Sequence, residues 1–132
     1  MGKEGGVGLK KLSTSAWTRK LDKIVSEIVR SRGECVRCGK QDGTLQAAHI
    51  YSRSNLQVRW DFDNVVCFCA GCHFWAHKNP IGFTEWVREH LGPIKYESLK
   101  QRSNLRKVWA VYEKEALYNL YKTYQADQWQ TT

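Results

Sequence analysis

Two Cys-x-x-Cys pairs constrain the fold of this 132-residue chain more than any other feature. Each pair presents two thiolates from a tight turn, and two such turns complete a tetrahedral sulfur site that suits Zn²⁺. Residues 39–68 separate the pairs, which is too long for a simple finger loop, so a substructure must be held between them. We therefore predict one structural zinc site with four ligands, Cys35, Cys38, Cys69 and Cys72.

Cys67 is the remaining cysteine. It lies two positions before Cys69 on a strand-like segment, so the two side chains should face the same way. Its spacing fits a ligand less well than the paired cysteines do, and we predict a buried free thiol.

The sequence contains no segment that predicts export or a membrane span. No run approaches ~18 apolar residues, and residues 1–15 have no hydrophobic stretch of the signal-peptide type. We expect a protein of the reducing cytoplasm, where close cysteine pairs bind metal more often than they form disulfides.

Two histidines follow the second cysteine pair. His73 and His77 are four positions apart, which places both imidazoles on one face of a short helix, where they could bind one ion. A single buried histidine is most often structural, but a pair beside a zinc site in a basic protein is better explained by a second metal ion. We therefore expect two metal sites with different functions.

Positive charge is concentrated in the first half of the chain, which has a total net charge of +8. Residues 1–60 carry twelve Lys and Arg against five Asp and Glu, whereas residues 61–132 carry nine against eight. Such a distribution favours a polyanionic partner, most often nucleic acid, although a solvated basic face would give the same composition. The candidate DNA contacts are Lys10, Lys11, Arg53 and Arg59.

Hydrophobic spacing predicts a helix near residues 15–31, followed by a glycine cap. Two strand-like segments come next, "TLQAAHIYS" and "DNVVCFC", separated by a polar loop that contains both candidate arginines. A short helix should run from about Ala70 to Lys78 and end at Asn79-Pro80. This order of elements indicates an α+β fold.

The remainder of the chain is predicted to be helical. Thr84 can cap a helix that stops at Gly92-Pro93, and a longer helix is expected near residues 104–126. We expect one stripe of this region to pack against the domain, formed by Trp109, Tyr112, Ala116, Leu120 and Tyr124. The chain is thus divided into a flexible basic arm, residues 1–13, and a single domain, residues 14–132.

The order of the chemical motifs resembles a nuclease family. A Cys-x-x-Cys pair, a histidine in "AAH" (His49), an asparagine in "WDFDN" (Asn64) and a Cys-x-x-Cys-His sequence follow one another, as in HNH nucleases of the ββα-metal class. The stretch "AAHIYSRSNLQVRWDFDNVVCFCAGCH" is most similar to zinc-stapled phage members, the NinG-type recombination proteins and endonuclease VII. This resemblance implies a zinc-stapled, treble-clef-like HNH core at residues 33–92, with flanking helices at 14–32 and 93–127, in the cytoplasm of a bacterial host.

The resemblance also implies a role for each matching residue. His49 matches the general base that activates water, and Asn64 matches the middle asparagine, which usually braces the loop. His73 matches the last residue of the motif, a metal ligand, and His77 matches an additional helix histidine on the same ion. The catalytic residues implied are therefore His49, Asn64 and His73.

One position departs from the family pattern. Many members place a metal ligand directly before the base, where this chain has Ala48. Water, substrate phosphate or a carboxylate, with Asp61 and Asp63 nearest in sequence, could then complete the coordination of a catalytic ion. Mg²⁺ and Mn²⁺ are the expected ions, and imidazole ligands also allow Ni²⁺ and Zn²⁺.

The resemblance implies a metal-dependent DNA endonuclease that hydrolyses phosphodiester bonds in phage DNA recombination or processing, with a homodimer as one possible state. The alternative is a non-catalytic zinc module that binds nucleic acid. That alternative explains the cysteines and the charge, but not the ordered set of His49, Asn64 and the histidine pair. A protein-interaction domain would leave the basic half of the chain unused.

Overall fold

The computed structural model describes residues 11–131, and the side chains of residues 11–127. In this part of the chain, four helices surround an antiparallel sheet of two strands, which confirms a small mixed α+β fold. The elements are α1 (Thr14–Arg30), β1 (Leu45–His49), β2 (Val65–Cys69), α2 (Ala70–Lys78), α3 (Pro80–Ser103) and α4 (Val111–Thr131). Most of the predicted basic arm, including Lys10, lies outside the described residues. None of the helices described is long and apolar enough to cross a membrane.

Helix α1 forms where the sequence predicts a helix, within one residue at each end. The Ser13 hydroxyl accepts a hydrogen bond from the backbone N–H of Ala16 at 3.1 Å, which satisfies one of the free donors at the helix start. The apolar face of α1 packs with Trp60, Val65 and Tyr121, so α1 connects the sheet to α4. Its buried side chains are Leu21, Ile24, Val25 and Ile28.

The two strands pair in a register that separates two chemical groups. His49 lies opposite Val65 at one end of the sheet, and Leu45 lies opposite Cys69 at the other. All residues of β2 are buried, as expected for a run of β-branched, aromatic and cysteine side chains. Because β2 leads directly into α2, the second cysteine pair and the histidine pair are carried by one continuous segment.

Helix α3 differs from the prediction at its start. Asn79-Pro80 ends α2 as expected, but Pro80 also occupies the first turn of α3, where its missing N–H leaves no hydrogen bond unmade. Thr84 therefore lies inside the helix, with its hydroxyl donating to the carbonyl of Pro80 at 2.9 Å, and it is not the predicted cap. Gly92 adopts a φ of +80° and kinks the chain at the predicted stop, after which the helix resumes at Pro93.

Helix α4 starts later and packs with a different face than predicted. Residues 104–110 are not helical, and of the predicted stripe only Trp109, within that segment, packs against the core. Tyr112, Leu120 and Tyr124 are 73%, 45% and 42% exposed. The prediction for this face thus holds for Trp109, and in part for Tyr124, whose ring centroid lies 5.6 Å from that of Tyr121, but not for the other members. The buried residues of α4 are Lys114, Tyr121 and Gln125.

Polar contacts between α4 and α1 explain this difference. The Lys114 ammonium donates to the hydroxyls of Thr14 and Thr18 at 2.6 and 2.9 Å. The Gln125 amide donates to the Glu27 carboxylate at 3.0 Å. Satisfied polar groups can be buried at low cost, so the inward face of α4 is mixed, with Lys114 and Gln125 beside Leu117, Tyr118 and Tyr121.

Candidate metal centre and histidine cleft

The four paired cysteines lie together, as the sequence predicts. The sulfur atoms of Cys35, Cys38, Cys69 and Cys72 are all within 4.8 Å of one another, and those of Cys38 and Cys69 are 3.8 Å apart. A tetrahedral zinc site with bonds of about 2.3 Å requires sulfur–sulfur distances of about 3.8 Å. The cluster therefore fits a structural Zn²⁺ with little rearrangement.

Backbone hydrogen bonds hold the first cysteine pair in its turn. The N–H of Gly39 donates to the carbonyl of Cys35, and the N–H of Cys35 donates to the carbonyl of Lys40, both at 2.8 Å. Gly39 adopts a φ of +80°, a conformation that other residues rarely take. The N–H of Val36 donates to the carbonyl of Cys67 at 2.8 Å, which attaches the turn to β2. These contacts bring the two pairs together across the intervening residues.

The protonation of the cluster also fits a cation. Burial raises the pKa of the Cys35 thiol, but backbone hydrogen bonds, that at Cys69 foremost, outweigh it and bring the pKa to about 6. Burial raises the pKa of Cys72 to about 12, and the hydrogen bond from Arg37 offsets only part of that increase. Without a metal, the pKa values thus favour loss of the proton from Cys35 and its retention on Cys72. A divalent cation supplies the charge that allows all four thiols to ionise.

Cys67 lies outside the cluster. Its side chain is 3% exposed, which confirms the predicted burial, and its thiol is free. Burial, followed by the negative charge at Cys35, raises the pKa of this thiol. Cys67 is therefore an unreactive core residue rather than a fifth ligand.

A cleft of about 560 Å³ is lined by several residues predicted from the sequence. His49 comes from the end of β1, Arg53 from the following loop, and the histidine pair from α2. These four side chains, His49, Arg53, His73 and His77, share the cleft with apolar neighbours and one serine. Side chains as distant in sequence as His49 and His77 thus meet at one surface.

His49 is held by the backbone of the loop. Its Nε2 lies 3.2 Å from the carbonyl oxygen of Arg59, so Nε2 carries the proton in this contact and Nδ1 is left as an acceptor. Burial, followed by the positive charge of Arg53, lowers the pKa of His49 from its ordinary value of 6.5. The imidazole is therefore neutral near pH 7.

The histidine pair is oriented by a strand residue that sequence reasoning missed. The rings of His73 and His77 are 4.8 Å apart, and Nδ1 of His73 lies 2.6 Å from the side-chain oxygen of Gln46. Because an amide oxygen only accepts, Nδ1 of His73 carries the proton and Nε2 keeps its lone pair. The sequence signal for Gln46 was its position two residues before Ala48, on the same face of β1. Metal-binding histidines are commonly oriented in this way.

The carboxylates considered as further ligands lie elsewhere. Asp61 and Asp63 accept hydrogen bonds from the Arg102 guanidinium at 2.9 and 3.0 Å, and neither lines the cleft. In the described part of the chain, the four cysteines form a group of at least three metal-binding side chains. The histidines do not belong to another group of that size. Asp61 and Asp63, the carboxylates nearest in sequence, thus attach α3 to the loop and do not lie at the histidine pair, which leaves water or substrate phosphate among the options for completing the coordination.

The two candidate arginines have different surroundings. The Arg59 guanidinium donates to both carboxylate oxygens of Asp22 on α1, at 3.1 and 2.8 Å, and Trp60 donates to the same carboxylate at 2.8 Å. Arg59 therefore attaches the loop to α1 and is not free to grip a phosphate. Arg53 is exposed at the cleft, and Lys11 is exposed at the start of the described chain, so both stay candidates for DNA contact.

Asn64 is fully buried and connects the two ends of the loop. Its side-chain oxygen accepts from the N–H of Tyr51 at 2.7 Å, and its side-chain nitrogen donates to the carbonyls of Tyr51 and Val58 at 3.1 and 3.0 Å. These contacts fix the loop that contains Arg53 and supports His49. In this structure Asn64 braces the loop and does not face the cleft.

Asn64→Ala should lower the free energy of unfolding by about 3 kcal/mol, because it removes three hydrogen bonds and leaves the N–H and carbonyl of Tyr51 without their Asn64 partner. Urea unfolding measures this change. Asn119→Ala, at an exposed position of α4, is the matched control and should shift the free energy by less than about 0.5 kcal/mol. Equal effects of the two substitutions would contradict the bracing role.

Comparison with known proteins identifies a family for this chain. The family model described as bacteriophage lambda NinG protein matches residues 7–129, which is nearly the whole chain. No curated protein matches the sequence, and no solved structure does. The chain therefore belongs to the NinG family, a recombination-related family of phage proteins.

Proposed function

We propose that this protein is a metal-dependent DNA endonuclease of the HNH type, which hydrolyses phosphodiester bonds. One observation carries the proposal: His49, the histidine pair and Arg53, predicted separately from the sequence, line a single cleft. A general base, a pair of metal-binding imidazoles and a phosphate-binding cation are the groups that such a hydrolysis needs. Membership of a recombination-related phage family is consistent with DNA as the substrate.

His49 would be the general base. Its contact with the Arg59 carbonyl leaves Nδ1 free, and the lowered pKa keeps the ring neutral, so Nδ1 can accept a proton from water as that water attacks phosphorus. The partly buried site limits competing hydrogen bonds from solvent. Loss of this proton acceptor should leave binding intact while hydrolysis slows.

His73 and His77 would hold a divalent ion. Nε2 of His73 is available as a ligand because Gln46 accepts from Nδ1. When bound, such an ion would stabilise the negative charge that develops on the phosphate and on the leaving oxygen. Two imidazole donors favour transition ions such as Mn²⁺ or Ni²⁺ over Mg²⁺, which prefers oxygen ligands.

Arg53 would position the substrate. It is exposed at the edge of the cleft, within the half of the chain that carries most of the positive charge. An arginine can donate two parallel hydrogen bonds to one phosphate, which fixes the scissile group as well as attracting it. Lys11 and the basic residues of α1 would add affinity that is independent of DNA sequence.

Incubation of the full chain with supercoiled plasmid and one divalent ion at a time tests the proposal. We expect relaxed or linear plasmid with Mn²⁺ or Ni²⁺, a smaller amount with Mg²⁺ and none with a chelator. A denaturing gel resolves the strand ends. Retarded plasmid without any broken strand, for every ion, would contradict the nuclease and support a nucleic-acid-binding zinc module instead.

The pH dependence of cleavage follows from the environment of His49. Because burial and Arg53 lower its pKa below 6.5, the neutral form persists as the pH falls, and the rate should decline only below pH 6.5. Arg53→Gln removes the positive charge that contributes to this shift, so the decline should move to higher pH. Single-turnover rates at saturating DNA and ion measure the midpoint.

Arg106→Gln is the matched control for this profile, since Arg106 is exposed and does not line the cleft. Its acid midpoint should equal that of the wild type. A wild-type midpoint above 6.5, or equal midpoints for Arg53→Gln and the wild type, would contradict the assignment of His49 as a base beside Arg53.

A further inference from the structure

Arg37 makes two contacts that its position between the first two cysteines does not require. Its guanidinium lies over the ring of Trp75, with Cζ 3.5 Å from the ring centroid. One of its nitrogens, Nη1, donates a hydrogen bond to the sulfur of Cys72 at 3.3 Å. Both partners belong to α2, so this one side chain bridges the first cysteine turn and the helix that carries the histidine pair.

The aromatic platform under Arg37 is fixed. Trp75 packs edge-on against Phe83, with centroids 6.4 Å apart. A side-chain carbon at Gly82 would lie 3.3 Å from the Trp75 ring, which is tighter than ordinary contact, so α3 approaches the ring closely at this glycine. These contacts restrain the ring, so stacking on it places the guanidinium in a defined plane, from which it reaches the sulfur.

The negative charge of the cluster strengthens the contact between Arg37 and Cys72. Four thiolates around a divalent ion carry a net charge of about −2 in a partly buried site. Arg keeps its proton at any cellular pH, so its hydrogen bond to a thiolate is charge-assisted throughout that range. Donation to Cys72 withdraws electron density from that sulfur and restrains its direction.

We propose that Arg37 is a positioning residue of the metal centre, which holds the Cys72 thiolate in its ligand geometry and protects it from electrophiles. The inference concerns the cysteine cluster and is independent of nuclease activity. Removing the guanidinium should speed loss of the metal and expose Cys72 to alkylation, even where the fold is retained.

Zinc transfer to an excess of a chromogenic chelator measures the first effect, with the zinc-loaded full chain. Arg37→Ala should release zinc ~10 to 100 times faster than the wild type, the span usual for a lost neighbour of a metal ligand. Arg37→Lys should lie between them, since it keeps the charge but loses the planar stack. Lys40→Ala is the matched control: Lys40 is an exposed cation of the same turn, without a sulfur hydrogen bond among the described contacts, and should behave as the wild type.

Alkylation followed by mass spectrometry separates this role from general loosening of the fold. In Arg37→Ala and Arg37→Lys, labelling of Cys72 should rise while labelling of Cys67, a buried thiol outside the cluster, stays unchanged. Wild-type zinc release in Arg37→Ala, or a parallel rise at Cys67 in both variants, would overturn the proposal. Absence of zinc from the wild type would also overturn the proposal, because Arg37 would then have no metal site to position. That result does not depend on whether the protein cleaves DNA.

Discussion

Cys38→Ser should remove bound zinc and most of the folded state. Cys38 is exposed, so the substitution costs little packing, and its effect must come through the metal. Structural zinc contributes ~10 to 16 kcal/mol to the folding of small zinc domains, which is as large as the whole stability of a typical domain. Elemental analysis of the purified protein and thermal melting by circular dichroism measure the two losses.

Cys67→Ser is the matched control for this prediction. Cys67 is buried on β2 and lies outside the cluster. Its substitution should lower the free energy of unfolding by about 1 to 3 kcal/mol and leave the zinc content at one per chain. If burial alone determined the effects, Cys67→Ser would destabilise the fold more than Cys38→Ser. A native melting curve for Cys38→Ser, or a purified wild type without zinc, would show that the cluster does not stabilise the fold through metal.

His49→Ala should reduce DNA strand cleavage by ~10² to 10⁴ while the fold, the zinc content and DNA affinity stay close to those of the wild type. The side chain is only partly buried, and its described hydrogen bond is the one to the Arg59 carbonyl, so little stability depends on it. Gel-based cleavage rates, zinc analysis and DNA binding by fluorescence anisotropy measure the three properties. Added imidazole should restore part of the rate if it enters the space left by the side chain.

His90→Ala controls for the general loss of a histidine. His90 stacks on Trp86, with centroids 4.6 Å apart, and lines a different cavity. Its substitution should leave the cleavage rate within a factor of about two, since it touches none of the proposed machinery. Cleavage by His49→Ala near the wild-type rate, in preparations free of host nuclease, would end the assignment of His49 as the base.

Local patterns explain which parts of the fold were predictable. The spacing within each cysteine pair fixes a turn, and Pro80 ends α2, because both effects act over a few residues. The bounds of α2 therefore follow from the sequence. The strands could also be located from their composition and from the polar loop between them.

The packing face of α4 could not be predicted in the same way. Its aromatic stripe favours burial, but Lys114 is buried because hydroxyls from the distant α1 satisfy its ammonium. Nothing near Lys114 in sequence indicates those partners. Tertiary contacts thus outweighed the local hydrophobic pattern.

The candidate site shows the same division. His73 and His77 were identified from their spacing and His49 from the family resemblance, and all three line one cleft. The sequence does not distinguish Arg53 from Arg59, because the difference is a carboxylate on α1 that binds only the second. The sequence likewise does not show what Asp61 and Asp63 bind, since their partner Arg102 lies on α3.

The dependence of single-turnover cleavage on ion concentration tests the histidine cleft most directly. With Mn²⁺ titrated over several decades, His73→Ala should require a higher concentration for half-maximal rate and recover part of the wild-type rate, because it loses one ligand. His49→Ala should stay slow at every concentration, because it lacks a proton acceptor rather than an ion. The same half-maximal concentration for His73→Ala and wild type, or recovery of His49→Ala by added ion, would contradict the proposed roles.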